Sequence, residues 1–112
     1  MTAATGSGGL LPARPLAAQA HALRAAAAFI EQAGIPGLSL TVDQDQITIQ
    51  VPEHAGDLPA RAAAVARLAA LTGGRPAPDP RPGKTRGWID ARGQFAGHPV
   101  HVYTPVKQEA AS

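Results

Sequence analysis

Apolar and polar side chains alternate with a period of two over residues 38–51. Leu38, Leu40 and Val42 fall on one face, with Ser39, Thr41 and Asp43 on the other. After a polar turn at residues 43–46, Ile47, Ile49 and Val51 resume the apolar face, with Thr48 and Gln50 opposite. This alternation predicts a half-buried β-hairpin, which Pro52 ends. Upstream, residues 16–33 change period. Leu16, Leu23, Ala26, Ala27 and Ile30 recur at helical spacing in an Ala-rich background, which predicts a helix. Pro15 suits its start and Gly34 the left-handed residue past its end. Pro36 and Gly37 then suit the centre of a type II turn.

A second helix is expected over residues 58–72, capped by Asp57 and closed by Gly73 and Gly74. Its inward stripe reads Leu58, Ala62, Val65, Leu68, Ala69 and Thr72, with Arg61 and Arg67 at the side. Residues 75–84 carry four alternating prolines and read as an extended, partly polyproline loop. Residues 85–106 read as a second hairpin turning at Ala96 and Gly97. That register pairs Gly93 with Val100, Ala91 with Val102 and Ile89 with Thr104 on an inner face. On the outer face it pairs Arg92 with His101 and Asp90 with Tyr103, leaving Trp88 near Pro105. The fold class is therefore α+β, in the order α-β-β-α-β-β. A four-stranded, mostly antiparallel sheet should carry two helices packed on one face. One domain over residues 15–106 is expected, with disordered tails at 1–14 and 107–112. The closing strands of the two hairpins, ITIQVP at 47–52 and VHVYTP at 100–105, are alike enough to raise an αββ duplication.

Composition sharpens this picture in three ways. The apolar content is weighted to Ala, 25 of 112 residues, so the core is thin and extra burial from a partner or a second copy is expected. There is no Cys, which removes disulfides, thiol nucleophiles and zinc-thiolate sites. No secretory leader pattern and no uninterrupted apolar span occurs, which points to a cytoplasmic, non-membrane protein. The net charge of +2 is mild but unevenly spread. Residues 14–74 hold four basic and five acidic side chains, and residues 75–107 hold six basic and two acidic ones. An electrostatic partner should meet the second half.

Motifs with chemical meaning are few. Gly83, Lys84 and Thr85 match the end of a phosphate-binding loop, but the leading position is Pro78, Pro80 and Pro82 remove donors, and a strand follows. Nucleotide binding is not expected. Asp43 and Asp45 lack the glycine and terminal acid of a calcium loop. His98 and His101 lie on opposite faces of a strand, with no third ligand nearby, so neither a metal nor another cofactor is expected. Asp90 and His101 have no Ser or Cys nucleophile beside them, and no catalytic constellation emerges.

The outward set Trp88, Asp90, Arg92, His101 and Tyr103 is the candidate binding surface for a protein partner, since exposed aromatic and Arg side chains anchor such patches. An ordinary solvated face, or Trp88 packed under the proline segment, explains the same residues without a ligand. The basic residues Arg75, Arg81, Lys84, Arg86 and Arg92 form the alternative, a nucleic-acid contact along a stiff loop, with Trp88 or Tyr103 stacking on bases. The proline run itself matches ligands of proline-peptide-binding domains, or a stiff spacer. The eight Arg against two Lys, with abundant Ala, Pro and Gly, suit a GC-rich genome. The ending GHPVHVYTPV after an Ala-rich helix is similar in style to small uncharacterised proteins of actinobacterial genomes and their phages and plasmids. That resemblance implies a bacterial intracellular setting and no activity. The expected function is a non-catalytic interaction or adaptor module that binds another protein, or itself, through the outer face of the second hairpin.

Overall fold

A computed structural model describes residues 13–107. In chain order it comprises α1 (Ala13–Ala33), β1 (Ser39–Asp43), β2 (Gln46–Gln50), a 3-10 turn (Glu53–Ala55), α2 (Leu58–Ala70), β3 (Ala77–Asp79), β4 (Arg86–Phe95) and β5 (His98–Lys107). The strands form one sheet in the order β1-β2-β5-β4-β3. The expected tail at 1–14 lies almost wholly outside the described residues, as does that at 107–112 apart from Lys107. α1 starts at Ala13, so Pro15 sits in its first turn, where a missing N–H costs no helical bond. Lys107 pairs with Arg86 and extends β5.

Both hairpins form. β1 and β2 pair antiparallel with Leu40 opposite Ile49. β4 and β5 pair from Arg86–Lys107 to Phe95–His98, in the register expected from a turn at Ala96 and Gly97. Those two turn residues both have positive φ, 52° and 83°. Such a turn matches the twist of the flanking strands. β2 and β5 then lie side by side in parallel, Ile47 beside Val100 and Ile49 beside Val102. A parallel neighbour requires a long crossover, and α2 with β3 and β4 supplies it.

The proline segment departs from expectation. Ala77–Asp79 is a fifth strand, paired antiparallel with β4 through Ala77–Asp90, Pro78–Ile89 and Asp79–Trp88. The sheet is therefore five-stranded and mixed. β3 is short and occupies the outer position, where a proline without an N–H leaves no ladder bond unmade on the solvent side.

α1 contacts β1 and β2, and α2 contacts β4 and β5, both on the same face. Ile47, Ile49, Val51, Val100 and Val102 meet Phe29 and Ala26 from α1 and Val65 and Leu68 from α2. Phe29 is fully buried and sets its ring edge-on to Phe95, with centroids 4.9 Å apart. The face that α1 buries is Ala22, Ala25, Ala26, Phe29 and Ala33. Leu16 and Leu23, which the spacing placed inward, are 65% and 53% exposed, and Ala27 is exposed too. Small side chains bring the helix axis close to the sheet and leave room for Phe29, which outweighs the two leucines. Leu58, also expected inward, is 37% exposed in the first turn of α2.

With both helices on one face and β2 parallel to β5, the αββ halves have opposite handedness. The order β1-β2 runs toward the sheet centre from one side and β4-β5 from the other, a mirror relation that no rotation produces. The likeness of the two closing strands therefore reflects similar positions in the sheet, and the halves do not superpose.

One polar contact starts α2 and another joins it to the sheet. Asp57 caps the helix by accepting from the Ala60 N–H at 2.9 Å. Arg61 donates to Thr104 Oγ1 at 2.9 Å, to the Pro105 carbonyl at 2.6 Å and to the Gly56 carbonyl at 3.1 Å. Buried Thr104 in turn donates to the Val51 carbonyl at 2.7 Å. At its other end α2 stops at Ala70 rather than at Thr72, and Thr72 turns down onto β4. A Cβ at Gly93 would lie 2.4 Å from both the Thr72 carbonyl and its hydroxyl, so only glycine admits this contact. The Gln94 N–H donates to the Thr72 carbonyl at 3.1 Å in the same place.

Candidate functional site

Alternation in β4 and β5 sends every second residue away from the helices. Trp88, Asp90 and Arg92 from β4 and His101 and Tyr103 from β5 therefore share the outer face, with Arg92 paired to His101, Asp90 to Tyr103 and Trp88 to Pro105. All five line one open concavity of about 320 Å³, together with Thr48, Asp79 and Arg81. Thr48 enters because β2 lies parallel to β5 and sets it beside His101. Asp79 and Arg81 enter because β3 pairs with β4.

The aromatic part of the wall is ordered. Trp88 meets Tyr103 edge-on with centroids 5.3 Å apart, and His101 stacks on the other side of Tyr103 at 5.3 Å. The Tyr103 hydroxyl donates to Gln50 Oε1 at 3.4 Å. Polar contacts run diagonally across the strands. His101 Nε2 lies 3.0 Å from Asp90 Oδ2, each side chain about one-fifth exposed. Asp90 turns to His101, and Arg92 stays exposed at the rim. Arg81 pairs with Asp79 at 3.2 Å.

Of the basic residues grouped for nucleic acid, only Arg81 and Arg92 reach this concavity. Arg86 forms an ion pair with Glu53 of the 3-10 turn. Arg75 is exposed after α2 and Lys84 is exposed in the β3–β4 connection. Two of the five thus share the concavity with the aromatic residues, and three are not among its lining.

His98 faces the helices, as its spacing from His101 requires, and is buried. Its Nδ1 lies 3.1 Å from the Asp45 carbonyl and its Nε2 lies 2.5 Å from His21 Nδ1 on α1. A carbonyl only accepts, so Nδ1 of His98 donates to Asp45, and its Nε2 shares one proton with His21 Nδ1 across the second contact. The pair ties α1, the β1–β2 turn and β5 together. Nothing in the spacing of His21 and His98, 77 residues apart, announces this contact. Among the described residues no three His, Cys, Asp or Glu side chains converge on a common point. Among the described residues, too, no helix is long and apolar enough to cross a membrane.

No family model matches the chain, and no curated protein or solved structure is significantly similar to it.

Proposed function

We propose that the chain is a non-catalytic interaction module that binds a protein partner through the outer face of the β4–β5 hairpin, in the cytoplasm. One observation carries the reading: five residues from two strands converge with Thr48, Asp79 and Arg81 on a single concavity walled by Trp88 and Tyr103. Half-buried aromatic and exposed Arg groups around a depression are what an interface anchor requires, since the aromatic rings supply large contact area at low rotamer cost. Two carboxylates, Asp79 and Asp90, and two Arg groups, Arg81 and Arg92, line it, which suits a mixed-charge peptide surface. A polyanion would meet Asp79 and Asp90 as well as Arg81 and Arg92, and Arg86 is already committed to Glu53. These pairings favour the protein reading over the nucleic-acid one.

The test is affinity selection of a random peptide display library on the immobilised protein, followed by titration of enriched peptides. Trp88 is the only tryptophan, so its fluorescence reports directly from the site. Enriched peptides should perturb Trp88 emission, and Tyr103→Ala should weaken them about tenfold or more. Enrichment of nothing, or of peptides indifferent to Tyr103→Ala and Trp88→Ala, would overturn the proposal. A salt-sensitive shift of generic DNA or RNA, lost in Arg81→Ala/Lys84→Ala/Arg86→Ala, would establish the alternative instead.

A further inference from the structure

The two outer edges of the sheet are treated differently. β3 closes one edge with three residues, a proline at Pro78 and another immediately after at Pro80. Short length and proline are standard means of blocking an edge from further pairing. β1 closes the other edge with five residues, Ser39–Asp43, and carries no proline, lysine, arginine or bulge. Its outer row of N–H and C=O groups is an open template for another strand.

The register says which groups those are. In a hairpin closed by a two-residue turn the flanking pair, here Asp43 and Gln46, exchanges both backbone hydrogen bonds, and bonded pairs recur at every second residue. Ser39, Thr41 and Asp43 therefore bond inward to β2. Leu40 and Val42 direct their N–H and C=O outward. An antiparallel second copy of β1, with a two-fold axis at Thr41, meets this arrangement on both sides. Leu40 pairs with Val42 of the second copy and Val42 with its Leu40, making four hydrogen bonds around the central Thr41 pair. Ser39 falls opposite Asp43, so no two like charges face each other across the new ladder.

Apolar surface lies where this pairing would cover it. Leu40 points to the helix face, opposite Ile49, and is 39% exposed. On α1 the exposed Leu16 and Leu23 sit about 150° around the helix from His21. His21 reaches inward, past β2, to His98 on β5, so the leucine flank faces the β1 edge. The open edge, the exposed Leu40 and the leucine flank of α1 thus border one side of the molecule.

We propose that the occupant of this border is a second copy of the chain. The β1 strands pair antiparallel about Thr41 to make a continuous ten-stranded sheet, and the α1 flank at Leu23 and the Leu40 face of β1 are covered by the second copy. The contact is self-complementary in hydrogen bonding, in charge and in apolar surface, as an isologous interface must be. Because the axis stands perpendicular to the sheet, both helix layers fall on one face and both outer concavities on the other. The dimer thus presents two copies of the candidate site on one surface, and it forms whether or not that site binds a peptide.

Sedimentation velocity across a concentration series tests this. The expected species has twice the chain mass, and Leu40→Lys or Leu23→Lys raises its dissociation constant at least about tenfold, whereas Leu58→Lys on α2 does not. Position-specific cross-linking guards against variants that merely fold poorly. The chain lacks cysteine, so Thr41→Cys provides a single thiol on the proposed axis. Oxidation by diamide should convert it to a disulfide dimer, whereas Ser39→Cys, whose thiols would lie apart in this register, should remain largely uncross-linked. A monomer at all concentrations, or a dimer that tolerates both lysine variants, overturns the proposal. So does a Thr41→Cys protein that cross-links no faster than Ser39→Cys.

Discussion

In the β1–β2 hairpin the outer face carries Ser39, Thr41, Thr48 and Gln50. In β4–β5 the same alternation places Trp88, Asp90, Arg92, His101 and Tyr103 there. The inner faces differ much less, since both are aliphatic and both end under a helix. Length separates the hairpins as well, five-residue strands against ten-residue ones. The longer hairpin is paired on both sides, to β2 and to β3, whereas β1 has one neighbour. Large amphipathic side chains on a strand need neighbouring strands to hold their rotamers, and only the second hairpin has them on both flanks. The candidate site sits where the sheet is widest and best braced, and the open edge sits where the strands are short and plain.

If this division is real, substitutions on the helix side should act on stability and those on the outer side on binding. The largest effect is expected from Phe29→Ala. Phe29 is fully buried between α1, the sheet and Phe95, and its loss should cost about 3–5 kcal/mol in urea unfolding. Gly93→Ala comes next. The added methyl would overlap Thr72, forcing α2 away from β4, and should cost about 1–3 kcal/mol. Arg61→Ala removes the donor shared by Thr104 and Pro105, and should cost about 1–3 kcal/mol through the buried acceptors it abandons. None of the three is expected to abolish peptide binding by the folded fraction. Loss of binding at full folding would break the comparison.

The legibility of the molecule divides along the same line. The β4–β5 register was readable because Ala96 and Gly97 fix the turn, and a period of two then determines every partner. The five outward residues followed from that register alone. What could not be read depended on contacts between distant segments. The parallel seating of β2 beside β5, which adds Thr48 to the concavity, leaves no trace in either strand's own alternation. Four prolines argued against a strand at 75–84, yet at an outer position Pro78 costs no bond and Ala77–Asp79 pairs with β4. The helical face of α1 was misplaced because leucine outweighs alanine by area. The sheet is approached closely enough that alanines fill the contact and one phenylalanine fills the remaining volume. Arg61 looked like a lateral charge on α2, and it has three oxygen acceptors from two other segments.

The smallest effect on stability, and the sharpest use of the comparison, belongs to Asp90→Asn. The Asp90–His101 contact is diagonal, about one-fifth exposed on each side, and bordered by the stacked Tyr103 ring. Asn keeps an oxygen acceptor at nearly the same place while removing the negative charge. If the contact serves mainly to hold the sheet together, unfolding free energy should fall and peptide affinity should follow only through folding. A side-chain hydrogen bond contributes about 0.5–1.5 kcal/mol and Asn keeps the acceptor, so a fall much above that would assign the pair to the scaffold. The expected result is different. Stability should change by less than about 1 kcal/mol, while the affinity of a selected peptide changes by a larger factor. Asp90 and Arg92 sit on one wall, and deleting one charge alters the local field that the ligand meets. Measuring both quantities on the same preparation separates the outcomes, because a scaffold role moves the two together and a recognition role moves only the second.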